Sequence, residues 1–117
     1  MSDLAALRDG MRAFTQERAW EAYHDPKSLI LALVGEVGEL SELFQWLPAD
    51  EAAERASTGA LRELVEDEIA DVLLYLIRLA DVLHIDLGQV GEAKLARVDV
   101  KYEPGDQPDR YRTDRSR

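Results

Sequence analysis

Cysteine is absent from the 117 residues. Disulfide scaffolds, thiolate metal sites, covalent haem attachment and cysteine catalysis are excluded with it. Glycine (7) and proline (4) are scarce, which argues against a loop-rich sandwich or barrel. No apolar run reaches membrane-spanning length, and no charged segment leads into an apolar one at the N-terminus. The expectation is a cytoplasmic protein that neither crosses nor docks on a membrane. Positive charge is also short: 14 Lys plus Arg against 24 Asp plus Glu, a net charge of −10. The stretch from Gly105 to Arg117 is slightly basic, so residues 1–104 carry the whole acid excess. An acidic body repels a nucleic-acid backbone, and no nucleic-acid partner is expected. A small phosphorylated ligand remains possible if a divalent cation bridges acid and phosphate.

What is present is enough apolar residue, 46%, to build a core in one domain over residues 1–104, followed by a polar tail at 105–117. The 3.6-residue period predicts four main helices and an all-α fold. The first runs from Asp3 to about Tyr23, capped by Ser2 or Asp3. Asp25-Pro26 opens the second, a capping side chain followed by proline at the first helical position, and Pro48 limits it beyond Trp46. Residues 47–59 form a connector with a helical turn or two between Asp50 and Ala56. The third helix spans Ala60 to His84, and the fourth, capped by Asp86, runs from Leu87 to about Tyr102 before Pro104-Gly105.

Two of these helices are too apolar for a lone bundle. Leu29–Val34 and Val72–Ile77 are each six consecutive apolar residues, whereas a helix on a monomer needs only one stripe. Other copies of the chain are expected to cover the rest, so that oligomerisation completes the bundle.

Acids interrupt these apolar helices in a pattern. Glu36 and Glu39 lie three apart on one face of the second helix, and Glu68 and Asp71 repeat the spacing on the third, with Tyr75 one turn further. Like charges at this spacing repel, and burying them unpaired costs several kcal/mol or forces protonation. A solvated acidic face explains such pairs on most helices; a hard oxygen cage for Mg²⁺ or Mn²⁺ explains pairs on two apolar ones. The residues alone leave both readings open. Gly35 and Gly38 beside Glu36 would let a helix or ligand approach closely. A di-iron bundle is disfavoured. Its Glu-x-x-His motifs belong at helix centres, while Glu21-x-x-His24 and Asp81-x-x-His84 sit at helix ends.

At these residues the chain resembles the MazG-like all-α nucleoside triphosphate pyrophosphohydrolases, in particular their dCTP pyrophosphatase branch. The resemblance rests on Phe14-x-x-Glu17-Arg18-x-Trp20-Glu21-x-x-His24 and on Leu31 through Leu40 with Glu42-Leu43-Phe44-Gln45-Trp46. It continues in Glu68-x-x-Asp71-Val72-Leu73-x-Tyr75-Leu76, and in Lys94 with Lys101-Tyr102. It implies a Mg²⁺-dependent enzyme, with Mn²⁺ a possible substitute, that splits a nucleoside triphosphate into monophosphate and pyrophosphate. Glu36, Glu39, Glu68 and Asp71 would be metal ligands, with Glu36 and Glu39 the catalytic pair. Trp20, His24, Trp46, Tyr75 and Lys94 would bind substrate, and the assembly would be a homotetramer, a dimer of dimers. dCTP or a related pyrimidine nucleotide is the implied substrate. The alternatives are another or a broad deoxynucleotide range, or a non-catalytic helical metal-binding assembly module. Three departures matter. Gly35, where many relatives carry a further Glu though the dCTP branch shares the glycine, leaves the general base unassigned. Val98 where relatives carry Asn and Met11 where animal relatives carry His bear on substrate recognition.

Overall fold

The computed structural model describes residues 3–106. Five helices follow one another: α1 (Asp3–Glu17), α2 (Pro26–Glu42), a single-turn α3 (Ala52–Arg55), α4 (Gly59–Val82) and α5 (Leu87–Lys101). The described residues contain no strand, so the all-α expectation holds. Ser2 as a cap and the tail at 107–117 lie outside the described residues.

The start of α2 follows from its sequence. Asp25 is extended, its carboxylate accepts from the Ser28 amide at 2.9 Å and from the Ser28 hydroxyl at 2.6 Å, and Pro26 takes the first helical position. Helix ends were harder to read. α1 stops at Glu17 rather than near Tyr23 and closes in a Schellman motif. The Trp20 amide bonds to the Thr15 carbonyl at 3.0 Å and the Ala19 amide to that of Gln16 at 3.1 Å. Ala19 holds the left-handed position (φ 53°) that glycine usually takes. A short 3₁₀ turn at Glu21–Tyr23 then leads into α2. α2 itself ends at Glu42 and unwinds through tight turns to Leu47, because Pro48 forces the residue before it out of helical geometry. α4 closes as α1 does, with His84 left-handed (φ 57°) and the Ile85 amide on the Ala80 carbonyl at 2.8 Å.

The chain divides into two compact units, residues 1–87 and 88–117. In the first, α2 and α1 both pack on α4. Its buried apolar residues are Leu29 on α2 and Val65, Ile77 and Ala80 on α4. Thr15 is buried too, its hydroxyl satisfied by the Met11 carbonyl at 2.8 Å. This core is thin for two helices so rich in apolar residues: Leu31 is 61% and Val34 64% exposed. The second unit, in its described part, holds α5 and the turn that follows. Among the described residues no helix is long and apolar enough to cross a membrane.

Candidate active site

Because α2 packs on α4, the two acid pairs meet. Carboxylate oxygens of Glu36, Glu39 and Glu68 lie within 4.8 Å of one another, and those of Asp67, Glu68 and Asp71 form a second group that shares Glu68. Glu36, Glu68 and Asp71 are half-buried; Glu39 and Asp67 are exposed. One oxygen of Glu36 and one of Glu68, Oε2 in each, is buried without a hydrogen-bond partner. Native proteins rarely leave such atoms unpaired.

The electrostatics carry the same message. Burial, followed by hydrogen bonding to Glu36 and Glu39 and by their charges, pushes the Glu68 carboxyl up to about 7. At Glu36 the hydrogen bond with Glu68 acts downward. Burial and the charges of Glu39 and Asp71 outweigh it, and the net direction is up. Acids crowded this way must hold a proton or bind a cation. The donors are all oxygen and anionic, and two buried lone-pair-bearing atoms lack partners. That set fits a hard divalent ion. Glu68 thus links Glu36 and Glu39 on α2 with Asp71 on α4, through two groups that share it. Asp67 joins them without having been singled out, although its spacing of four from Asp71 puts the two on one helix face.

Next to this cluster lies a cavity of about 510 Å³, within the usual range for a small-molecule site. Asp71 lines it, and so belongs to both the acidic cluster and the cavity wall. Trp20, Phe14 and Met11 line it on the α1 side and Tyr75 on α4. Phe14 meets Trp20 edge to face, ring centroids 5.5 Å apart and planes at 76°. This contact fixes the indole as a wall. His24 also lines the cavity, 6.5 Å from Trp20 centroid to centroid. Trp20, His24 and Tyr75 are thus brought together.

Trp46 is not among the lining residues. It is 86% exposed, so it is not a core residue of this chain either. Lys94 is exposed on α5, in the second unit. Within the single chain a methyl group at Gly35 or Gly38 would meet nothing within 4 Å, so their close approach is not made inside the chain. Arg78 lines the cavity as well and was missed. Its signal is of the kind that marks the glutamates, a charge set inside the apolar run Leu76-Ile77-Arg78-Leu79-Ala80.

Known proteins resemble the chain across this region. The chain is 46% identical over 82 residues to a cattle protein and 44% identical over 87 residues to a human one, both named dCTP pyrophosphatase 1. These matches take in 70% and 74% of this chain but 48% and 49% of the relatives. The chain thus spans about half the length of these curated relatives. A crystal structure of a pyrophosphatase from Archaeoglobus fulgidus superposes with a TM-score of 0.79 at 38% identity, covering 87% of this chain and 94% of that one. A family model described as MazG-like matches residues 32–110, well over half the chain and inclusive of all four carboxylates, and the chain belongs to the MazG-like family.

Proposed function

We propose that the protein is a Mg²⁺-dependent nucleotide pyrophosphohydrolase that converts a pyrimidine deoxynucleoside triphosphate, dCTP foremost, to the monophosphate and pyrophosphate. The observation that carries this reading is the shared wall: Asp71 belongs both to the carboxylate cluster and to the aromatic cavity. A triphosphate joined to a base needs an anion-neutralising end next to a flat apolar one. The names of the relatives point the same way.

Glu36, Glu39, Glu68 and Asp71 would hold the metal. A divalent ion held by these carboxylates would supply the positive charge that offsets the triphosphate and the leaving pyrophosphate. Glu36 doubles as the group that orients the attacking water and takes its proton. The water oxygen bonds to the α-phosphorus as the bond from that phosphorus to the bridging oxygen breaks, and the electron pair leaves with pyrophosphate. Trp20, buttressed by Phe14, stacks on the base, and Tyr75 contacts sugar or phosphate. Residual apolar exposure on α2 and α4, together with the open glycines at 35 and 38, supports a homotetramer in which neighbouring copies cover these faces. A cytoplasmic location is part of the same reading.

The test is pyrophosphate release from a panel of deoxynucleoside triphosphates, with Mg²⁺ and with chelator. Activity is expected only with metal and highest on dCTP, and Glu39→Gln is expected to abolish it with helical content retained. Release at the wild-type rate by Glu39→Gln would overturn the ligand assignment, and no release from any nucleotide would overturn the function. Light scattering at 13.2 kDa would overturn the assembly.

A further inference from the structure

A chain of four side chains from three elements stands behind the cavity. Arg12 on α1 grips Asp81 on α4 with a fork, Nε to Oδ2 at 3.1 Å and Nη2 to Oδ1 at 2.6 Å. Arg78, one turn before Asp81, donates from Nη1 to the same Oδ2 at 3.2 Å. Its Nε donates to Nδ1 of His24 at 3.0 Å, across 54 residues of sequence. Arg78 is only 7% exposed, and both it and His24 line the cavity.

The direction of these bonds fixes a protonation pattern. A guanidinium has five donors, no acceptor, and does not deprotonate in proteins. The ring nitrogen that faces it must therefore be the bare one. The proton of His24 is then on Nε2, and a second proton could enter Nδ1 only by setting donor against donor. Burial and the Arg78 charge also disfavour the imidazolium, with Glu21 on the preceding turn opposing them. Arg78 itself is not free to turn aside, because Asp81 holds it and Arg12 holds Asp81. Two charges act directly on His24, Arg78 from α4 and Glu21 from the 3₁₀ turn; Asp71 lines the same cavity, and Asp81 and Arg12 act through Arg78.

We infer that Arg78, clamped by Asp81 and through it by Arg12, is a positioning residue that locks His24 as a donor-only contact, its Nε2–H directed at an acceptor atom of the substrate's base. This inference rests on the proposed nucleotide-hydrolysing function. It gives the base pocket a chemical preference that stacking cannot supply. His24 and Arg78 offer the cavity only N–H groups. Cytosine carries two adjacent acceptors, O2 and N3, on its pairing edge. Uracil and thymine share the O2 acceptor but carry an N3–H donor where cytosine has a bare N3. The preference therefore arises where the Nε2–H meets position 3, and there a donor facing a donor leaves both unpaired. Sites that leave buried polar groups unpaired discriminate strongly.

Two measurements test the clamp. His24 and His84 are the only histidines of the chain, so long-range ¹H–¹⁵N spectra of the full-length protein, with His84→Gln for assignment, report the His24 tautomer directly. At pH 7 the expected state is neutral with the proton on Nε2; Arg78→Met should give a tautomer mixture. In kinetics, Arg78→Met should raise KM for dCTP about tenfold, the worth of one good hydrogen bond, with kcat changed less than about twofold. The preference for dCTP over dUTP should shrink by a similar factor. A purely structural Arg78 would lower stability and leave tautomer and preference untouched. A wild-type His24 that is charged or carries its proton on Nδ1 at pH 7 refutes the clamp, and this reading needs neither turnover nor a folded Arg78 variant. So does an unchanged dCTP-to-dUTP preference in Arg78→Met. A wild-type protein that releases no pyrophosphate instead refutes the proposed function, while the tautomer still decides the clamp.

Discussion

Replacing Asp81 by Asn removes a charge and keeps its shape, and the structure sets the expected cost. The Asp81 side chain is 11% exposed and accepts three charge-assisted bonds from two guanidiniums. Breaking a buried ion pair by removing one partner costs about 3–5 kcal/mol, because the other charge stays buried and uncompensated. Arg78, almost fully buried, is in that position. Arg12 is not: its side chain is 48% exposed and regains water when released. Part of the cost is returned there, and Asn still offers one acceptor. The expected loss is about 2–4 kcal/mol, a large share of the ~5–15 kcal/mol that stabilises a typical domain.

The assay is urea unfolding at pH 7 with all proteins at one concentration, since assembly would otherwise shift the midpoints. Arg12→Ala is the control. It leaves the Asp81–Arg78 pair intact, gives up an interaction whose outer half is solvated, and should cost only about 1 kcal/mol. pH supplies a second check. The hydrogen bond from Arg12, reinforced by the Arg12 and Arg78 charges, holds the Asp81 carboxyl below its usual range despite its burial. Its stabilisation is therefore fully present above the unfolded-state value of about 3.9 and is lost as pH falls through the lower folded value. The gap between wild type and Asp81→Asn should begin to narrow below about pH 4 and close only below the lower folded value. An Asn variant within about 0.5 kcal/mol of wild type at pH 7, or a gap that persists in acid, would refute this account of the network.

Chelated protein should melt at progressively lower temperature between pH 5 and 8. The Glu68 carboxyl is raised to about 7, so its contribution is complete below the unfolded value and disappears as pH rises through the folded one. Mg²⁺ should reverse the fall and Glu68→Gln should flatten it; a flat wild-type profile would show that the carboxylates do not crowd. Ala19→Gly should stabilise by up to about 1 kcal/mol in urea unfolding, the relief of a left-handed alanine less the added freedom of the unfolded chain. Destabilisation instead would show that the φ of 53° carries no strain. Trp46→Ala should raise KM for every accepted nucleotide by a similar factor, since stacking ignores base identity. Unchanged KM values would remove this exposed tryptophan from the site.

What could be read before the structure was whatever local chemistry decides. Asp25-Pro26 starts α2 because capping and proline geometry act within four residues. The acid pairs were legible because a three-residue spacing puts them on one face wherever the helix goes, so only the packing of α2 on α4 was needed to bring them together. The end of α1 was not legible. The apolar period runs on through Trp20, and Ala19 sits where glycine would have signalled a stop. The Arg78–His24 bond was out of reach for the same reason: it joins residues 54 apart and depends on the chain turning at 18–20. These two misses are one event. If α1 continued to Tyr23 as a straight helix, His24 would be carried along its axis, about 1.5 Å for each added residue, and away from α4. The Schellman turn spends a left-handed alanine to bring Trp20 and His24 round to the cavity that Asp71, Tyr75 and Arg78 line from α4. The left-handed turn at Ala19 thus belongs to the same device as the clamp, since it is the turn that brings His24 to Arg78.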